Sequence, residues 1–124
     1  MLRIYCDGST TNYCYKMKSE TMYMPNPPGA SHNESEYLAI VAALERVVAQ
    51  GIKEPVEIVS DSLLAISQVN NIYRIRSNKL FTLCNRVRQL VAGLSNPVTF
   101  AWVPREQNEA GVDLEWYNKE ARRK

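Results

Sequence analysis

Between Ser62 and Arg105 the chain has no aspartate or glutamate. All thirteen acids lie outside that segment, whereas Arg74, Arg76, Lys79, Arg86, Arg88 and Arg105 fall inside it. The net charge of +2 hides this asymmetry. A basic middle between acid-bearing ends suits a protein that holds a polyanion on one patch and uses carboxylates on another; a solvated basic helix face is the plainer alternative. Cysteine is scarce: Cys6, Cys14 and Cys84 are odd in number and widely spaced. That indicates neither a disulfide framework nor a zinc site, and the expectation is three buried thiols. No apolar run approaches the ~18 residues of a membrane span, and the N-terminus lacks the regions of a signal peptide. The expectation is a cytoplasmic protein with no membrane partner. Internal repeats and low-complexity tracts are absent too.

What is present suits one domain over residues 1–124. Hydrophobic residues at 45% and charged residues at 23% are ordinary for a globular chain long enough to bury a core without staples. Leu2, Ile4 and Cys6 alternate with Arg3, Tyr5 and Asp7, the period of a half-buried strand, and Gly8-Ser9-Thr10 ends it. That strand delivers the Asp7 carboxylate to its C-terminal end. Asp-Gly by itself is a common turn dipeptide, so the companions of Asp7 decide its meaning.

Two short strands follow, 13–18 and 21–24, close enough to pair antiparallel as a meander with the first. Pro25-Asn-Pro-Pro-Gly29 breaks regular structure. Tyr37, Ile40, Val41, Leu44 and Val48 then mark one face of a helix, with Ser31 or Asn33 as N-cap and Gly51 as stop. Glu34 and Glu36 fall in its first turn, where interaction with the helix dipole explains an acid without catalysis. Residues 55–61 form another strand ending in Asp61, and 62–68 a short helix. In open α/β sheets, ligand sites gather outside the carboxyl ends of strands, so two strands each presenting Asp there are more informative than one. After Asn70-Asn71 a helix buries Leu80, Leu83, Cys84, Val87, Val91 and Leu94, with Gly93 and Pro97 bracketing its end. A last strand over 98–103, parallel to the earlier ones, leads to a closing helix from about Glu109, and 122–124 read as a frayed end.

Four pieces in this order resemble ribonuclease H of type 1: Tyr5-Cys-Asp-Gly-Ser-Thr10, His32-Asn-Glu-Ser-Glu-Tyr-Leu-Ala39, Val59-Ser-Asp-Ser62 and Val103-Pro-Arg-Glu-Gln-Asn108. The resemblance spans nearly the whole chain. It implies an α/β fold with a mixed five-stranded sheet, an antiparallel three-strand meander plus two parallel strands, and helices on both faces. It also implies a monomeric metal-dependent endonuclease that hydrolyses the RNA strand of RNA/DNA hybrids. Matched residue by residue, Asp7 is the acid between two Mg²⁺ (or Mn²⁺) ions, Glu36 rather than Glu34 the helix acid, and Asp61 the third. Backbone at Gly8 and Ser9 and the side chain of Asn33 are expected near the 2′-hydroxyls, with Arg74, Arg76 and Lys79 on the DNA strand's phosphates.

The chain departs from that pattern near its end. In Asn108-Glu-Ala-Gly-Val-Asp113, Val112 stands where the family has the fourth acid. Asp113 comes one residue late, a rotation of about 100° on a helix. The fourth ligand is therefore Asp113, Glu109 or missing, and Asp113 is the expected one. Leu63 replaces a frequent Gln, and the loop after the first strand is short. No histidine lies near the final acid, so none assists product release from that loop. A catalytically weakened nucleic-acid-binding module, or another two-metal nuclease of this fold, remain the alternatives.

Overall fold

The computed structural model describes residues 1–123; Lys124, part of the expected frayed end, lies outside the described residues. Five strands form one sheet in the order β3-β2-β1-β4-β5. They are β1 (Leu2–Gly8), β2 (Asn12–Met17), β3 (Glu20–Pro25), β4 (Val56–Ser60) and β5 (Val98–Trp102). The first three pair antiparallel, while β4 runs parallel to both β1 and β5. Local connectivity explains the division. Two residues between β2 and β3 allow only a hairpin, with Lys18 at φ 58 in the turn. Helical crossovers before β4 and β5 return the chain to the same end and so make parallel pairs.

The helices are α1 (His32–Ala49), α2 (Leu63–Val69), α3 (Asn78–Ala92) and α4 (Glu109–Arg122), the last preceded by a 3-10 turn at Arg105–Gln107. Helix α1 packs against β1, β2 and α3, with Tyr37, Ile40 and Leu44 fully buried. Burial contributes about 1.5–3 kcal/mol for each of the two aliphatic side chains, Ile40 and Leu44. Val48, expected on this face, is exposed, and Val47 takes its place. The stripe centres on Ile40, from which a helix of 3.6 residues per turn rotates Val47 by about 20° and Val48 by about 80°. Helix α4 lies on the opposite face of the sheet, where Ala110 and Leu114 pack with Cys14, Tyr5 and Tyr23. Helices therefore cover both faces, and all three cysteines are free and buried.

Three helices begin on a serine cap. The Ser31 hydroxyl accepts from the Glu34 amide while Glu34 Oε1 accepts from the Ser31 amide, a reciprocal capping box. Ser62 and Ser77 cap α2 and α3 in the simpler way. Between Ser31 and Asn33, the cap is Ser31. No helix among the described residues is long and apolar enough to cross a membrane.

Candidate active site

Asp7 lies near the C-terminal end of β1, Glu36 in the first turns of α1, and Asp61 directly after β4. The parallel register of β1 with β4 pairs Cys6 with Ser60, so the residues that follow, Asp7 and Asp61, emerge side by side. Helix α1 crosses the end of β1 and lowers Glu36 between them. One oxygen of each carboxylate lies within 4.8 Å of the others.

The close crossing depends on Gly8. A Cβ there would stand 2.4 Å from the backbone carbon of Ser35 and 2.5 Å from the Glu36 amide nitrogen. The Gly8 N–H donates to Glu36 Oε1 at 2.7 Å, and His32 Nε2 meets the Gly8 carbonyl oxygen at 2.9 Å. Gly8 thus orients the helix acid, and its own polar groups are engaged within the protein. Replacing Gly8 by Ala forces backbone apart, and we expect a loss of about 2 kcal/mol or more of stability together with weaker divalent-ion binding. Urea denaturation and calorimetric titration with Mn²⁺ measure both; an Ala variant equal to the parent in each would remove Gly8 from this role.

Asp7 is 2% exposed and Glu36 4%. Burial first, and the Asp61 charge next, push Asp7 up to about 7. Burial first, then the Asp7 and Asp61 charges, push Glu36 up to about 9, against the stabilising bond from the Gly8 amide. Asp7 Oδ1 is buried and has no hydrogen-bond partner among the described residues. An unpartnered buried carboxylate oxygen costs free energy unless something else completes it. The donor set is entirely oxygen, and the three acids together call for positive charge. That matches a hard divalent cation such as Mg²⁺ or Mn²⁺, which favours oxygen ligands; the thiols and His32 are not needed. Asp7, Glu36 and Asp61 therefore fit such an ion.

One cation of the protein is already at the rim. Arg105 Nη1 stands 3.5 Å from Asp61 Oδ2, and Trp102 Nε1 donates to the Asp61 carbonyl at 3.1 Å. Arg105 lines both clefts that open beside the cluster. A cleft of about 810 Å³ runs from Asp7 between the β1–β2 turn and α4. A shallower one of about 400 Å³ holds Glu36, Asp61 and Asn33.

Asp113 is not brought to the cluster. Its Oδ2 accepts from the Thr21 hydroxyl at 2.7 Å and faces Lys16 Nζ at 3.4 Å. The Asn108 side chain caps α4 at the Ala110 amide and donates to the Cys6 carbonyl at 2.9 Å, which sets the helix start. From that start Asp113 turns toward β2 and β3. Glu109, the other candidate, also pairs with Lys16, at 3.4 Å. The residue of α4 that faces Asp7 is Gly111, whose Cβ would stand 3.4 Å from Asp7 Oδ2.

The expected substrate contacts divide. Asn33 lines the cleft of Glu36 and Asp61. Ser9 Oγ is held within its own turn by Asn12. Arg74 and Arg76 are exposed between α2 and α3, and Lys79 approaches Glu34 at 4.0 Å. Sequence reasoning assigned no role to Asn108, Gly111 or Arg105 at the site. Arg105 carried a signal, as the only cation in the segment between the last strand and the closing helix.

A mixed sheet of this order, with acids from β1, α1 and the end of β4 converging at the C-terminal ends of its inner strands, defines an RNase H-like protein. Residues 20–114 match the reverse transcriptase-like family, and the chain belongs to it. Among solved structures it is similar to RNase H1 from the halophilic archaeon Halobacterium salinarum. There the TM-score is 0.81 at 24% identity, over 91% of this chain and 92% of that one. LC11-RNase H1 in complex with an RNA/DNA hybrid gives 0.78 at 19%, over 92% and 93%. The N-terminal RNase H domain of a Mycobacterium tuberculosis protein, fused to maltose-binding protein, gives 0.76 at 19%, over 97% of each chain. At these identities the likeness is one of fold.

Proposed function

We propose that this protein is a ribonuclease H, hydrolysing the RNA strand of RNA/DNA hybrids with divalent metal held by Asp7, Glu36 and Asp61. The observation that carries the reading is the convergence of three acids within 4.8 Å of one another, one of which, Asp7, keeps a buried oxygen without a partner among the described residues. When bound, a pair of Mg²⁺ or Mn²⁺ ions supplies an activated water and stabilises the leaving oxygen of an in-line phosphoryl displacement. The chain's own residues arrange the rest. The Gly8 amide fixes Glu36 while His32 holds the Gly8 carbonyl, β4 fixes Asp61, and Asn108 holds α4 beside β1. Asn33 stands at the cleft where a 2′-hydroxyl would be read. Exposed Arg74, Arg76 and Lys79 offer phosphate contacts, which make binding salt-dependent.

The position of Asp113 favours a second reading, a nucleic-acid-binding module on the same fold with weakened catalysis. One panel separates the two: labelled RNA/DNA hybrid, duplex RNA and duplex DNA, each with Mn²⁺, with Mg²⁺ and with chelator. We expect metal-dependent cleavage of the RNA strand in the hybrid. Hybrid retained in gel-shift assays but uncut with either metal would establish the module instead.

A further inference from the structure

We infer that Glu115 is the acid α4 contributes to the site, an outer ligand for the second divalent ion in place of Asp113. The inference rests on the metal-dependent reading above and adds a residue that the resemblance does not supply.

The acids of α4 sort by direction. Glu109 and Asp113 both face Lys16, on the side of β2. Glu120 pairs with Arg123 at 3.6 Å, near the far end of the helix. Glu115 alone of the four lines the large cleft together with Asp7 and Arg105. A second small cavity groups Glu115 with Gly111, Val112 and Arg105. These residues share a stripe of the helix: Glu115 follows Gly111 by four positions and Val112 by three, rotations of about 40° and 60° from them. Asp113 is rotated by about 160° from Glu115, toward Thr21 and Lys16.

Distance along the helix favours Glu115 as well. Helical side chains lean toward the N-terminus and cover the turn before their own Cα. For Glu115 that turn contains Gly111, which has no side chain to fill the space against Asp7. A glutamate has the length to reach back across a glycine, where an aspartate at the same position would fall short. Glu115 is exposed, and its present partner is Lys119 at 3.8 Å, an exposed i,i+4 pair worth only a few tenths of a kcal/mol. Little holds it away from the cleft. The independent pointer to a ligand is Asp7, a 2% exposed carboxylate that lines that cleft and keeps one oxygen, Oδ1, without a partner among the described residues.

Calorimetric titration with MnCl₂ tests this on the parent, Glu115→Gln and Asp113→Asn. Glu115 is on the surface, so its amide variant is expected to fold normally. Two Mn²⁺ should bind the parent, and Glu115→Gln should weaken the looser ion by roughly 10-fold or more while leaving the tighter one. Asp113→Asn should titrate as the parent does. If Glu115→Gln keeps both affinities, or Asp113→Asn shows the loss instead, the assignment is overturned while the metal site stands. A parent that takes up no Mn²⁺ overturns the metal-dependent reading and this inference together.

Discussion

Asp7→Asn is expected to abolish cleavage and, at the same time, to raise the melting temperature of the metal-free protein. Asp7 is a buried carboxylate beside Glu36 and Asp61, and one of its oxygens has no partner among the described residues. An amide of the same shape removes the repulsion and brings N–H donors to face the neighbouring carboxylates. The gain should be about 1–2 kcal/mol, or several degrees for a domain of this size. On the proposed metal-dependent reading, loss of a carboxylate that would hold the metal should cost roughly a thousandfold or more in rate, since transition-state charge would rest on it. A residue that served only the scaffold would lose stability on substitution, so opposite signs in the two measurements mark a functional acid. Thermal denaturation in chelator and single-turnover cleavage give the two numbers. An Asn variant that keeps more than a tenth of parental activity would take Asp7 out of the mechanism.

Added Mg²⁺ or Mn²⁺ should stabilise the fold most at alkaline pH. Asp7 and Glu36 are raised from ordinary values of 3.8 and 4.5 to about 7 and about 9, by burial first and by their neighbours' charges second. Between those limits the folded state binds more protons than the unfolded one, so stability falls as pH rises. The favourable protonated state is complete below about pH 4 and is lost as pH climbs through the folded values. A divalent ion replaces those protons and cancels the repulsion. At a hundred times its dissociation constant it adds about 2.7 kcal/mol. Melting curves in chelator should therefore shift down from about pH 5 to about pH 8, and curves with Mn²⁺ should stay nearly level. Identical midpoints with and without metal at the higher pH would contradict the site.

Much of this was legible in the chain because local physics wrote it there. The alternation of Leu2, Ile4 and Cys6, the helical stripe through Ile40 and Leu44, and an N-cap at Ser31 or Asn33 each depend on neighbours within one turn or one strand. The order of elements then left few topologies: a short hairpin connection forces antiparallel pairing, and helical crossovers force parallel pairing. Asp7 and Asp61 could be placed at strand ends for the same reason. Glu36 was distinguished from Glu34 only through the resemblance. The structure supplies the physical difference, with Glu34 spent on the helix cap and Glu36 on the Gly8 amide.

The closing helix behaved otherwise. Its existence could be read from residues 109 onward, but which side faces Asp7 could not, because about 100° separates adjacent residues and a shift of one position moves an acid off the site. Sequence alone determined the elements, their order, the two strand-end aspartates and the basic acid-free middle, since each is a property of short stretches or of counting. Only the tertiary structure decided the rotation of α4, because that is set by Asn108 bonding a carbonyl of β1 from 102 residues away. The same contact turns Asp113 to Lys16, leaves Gly111 against Asp7, and brings Glu115 to the cleft.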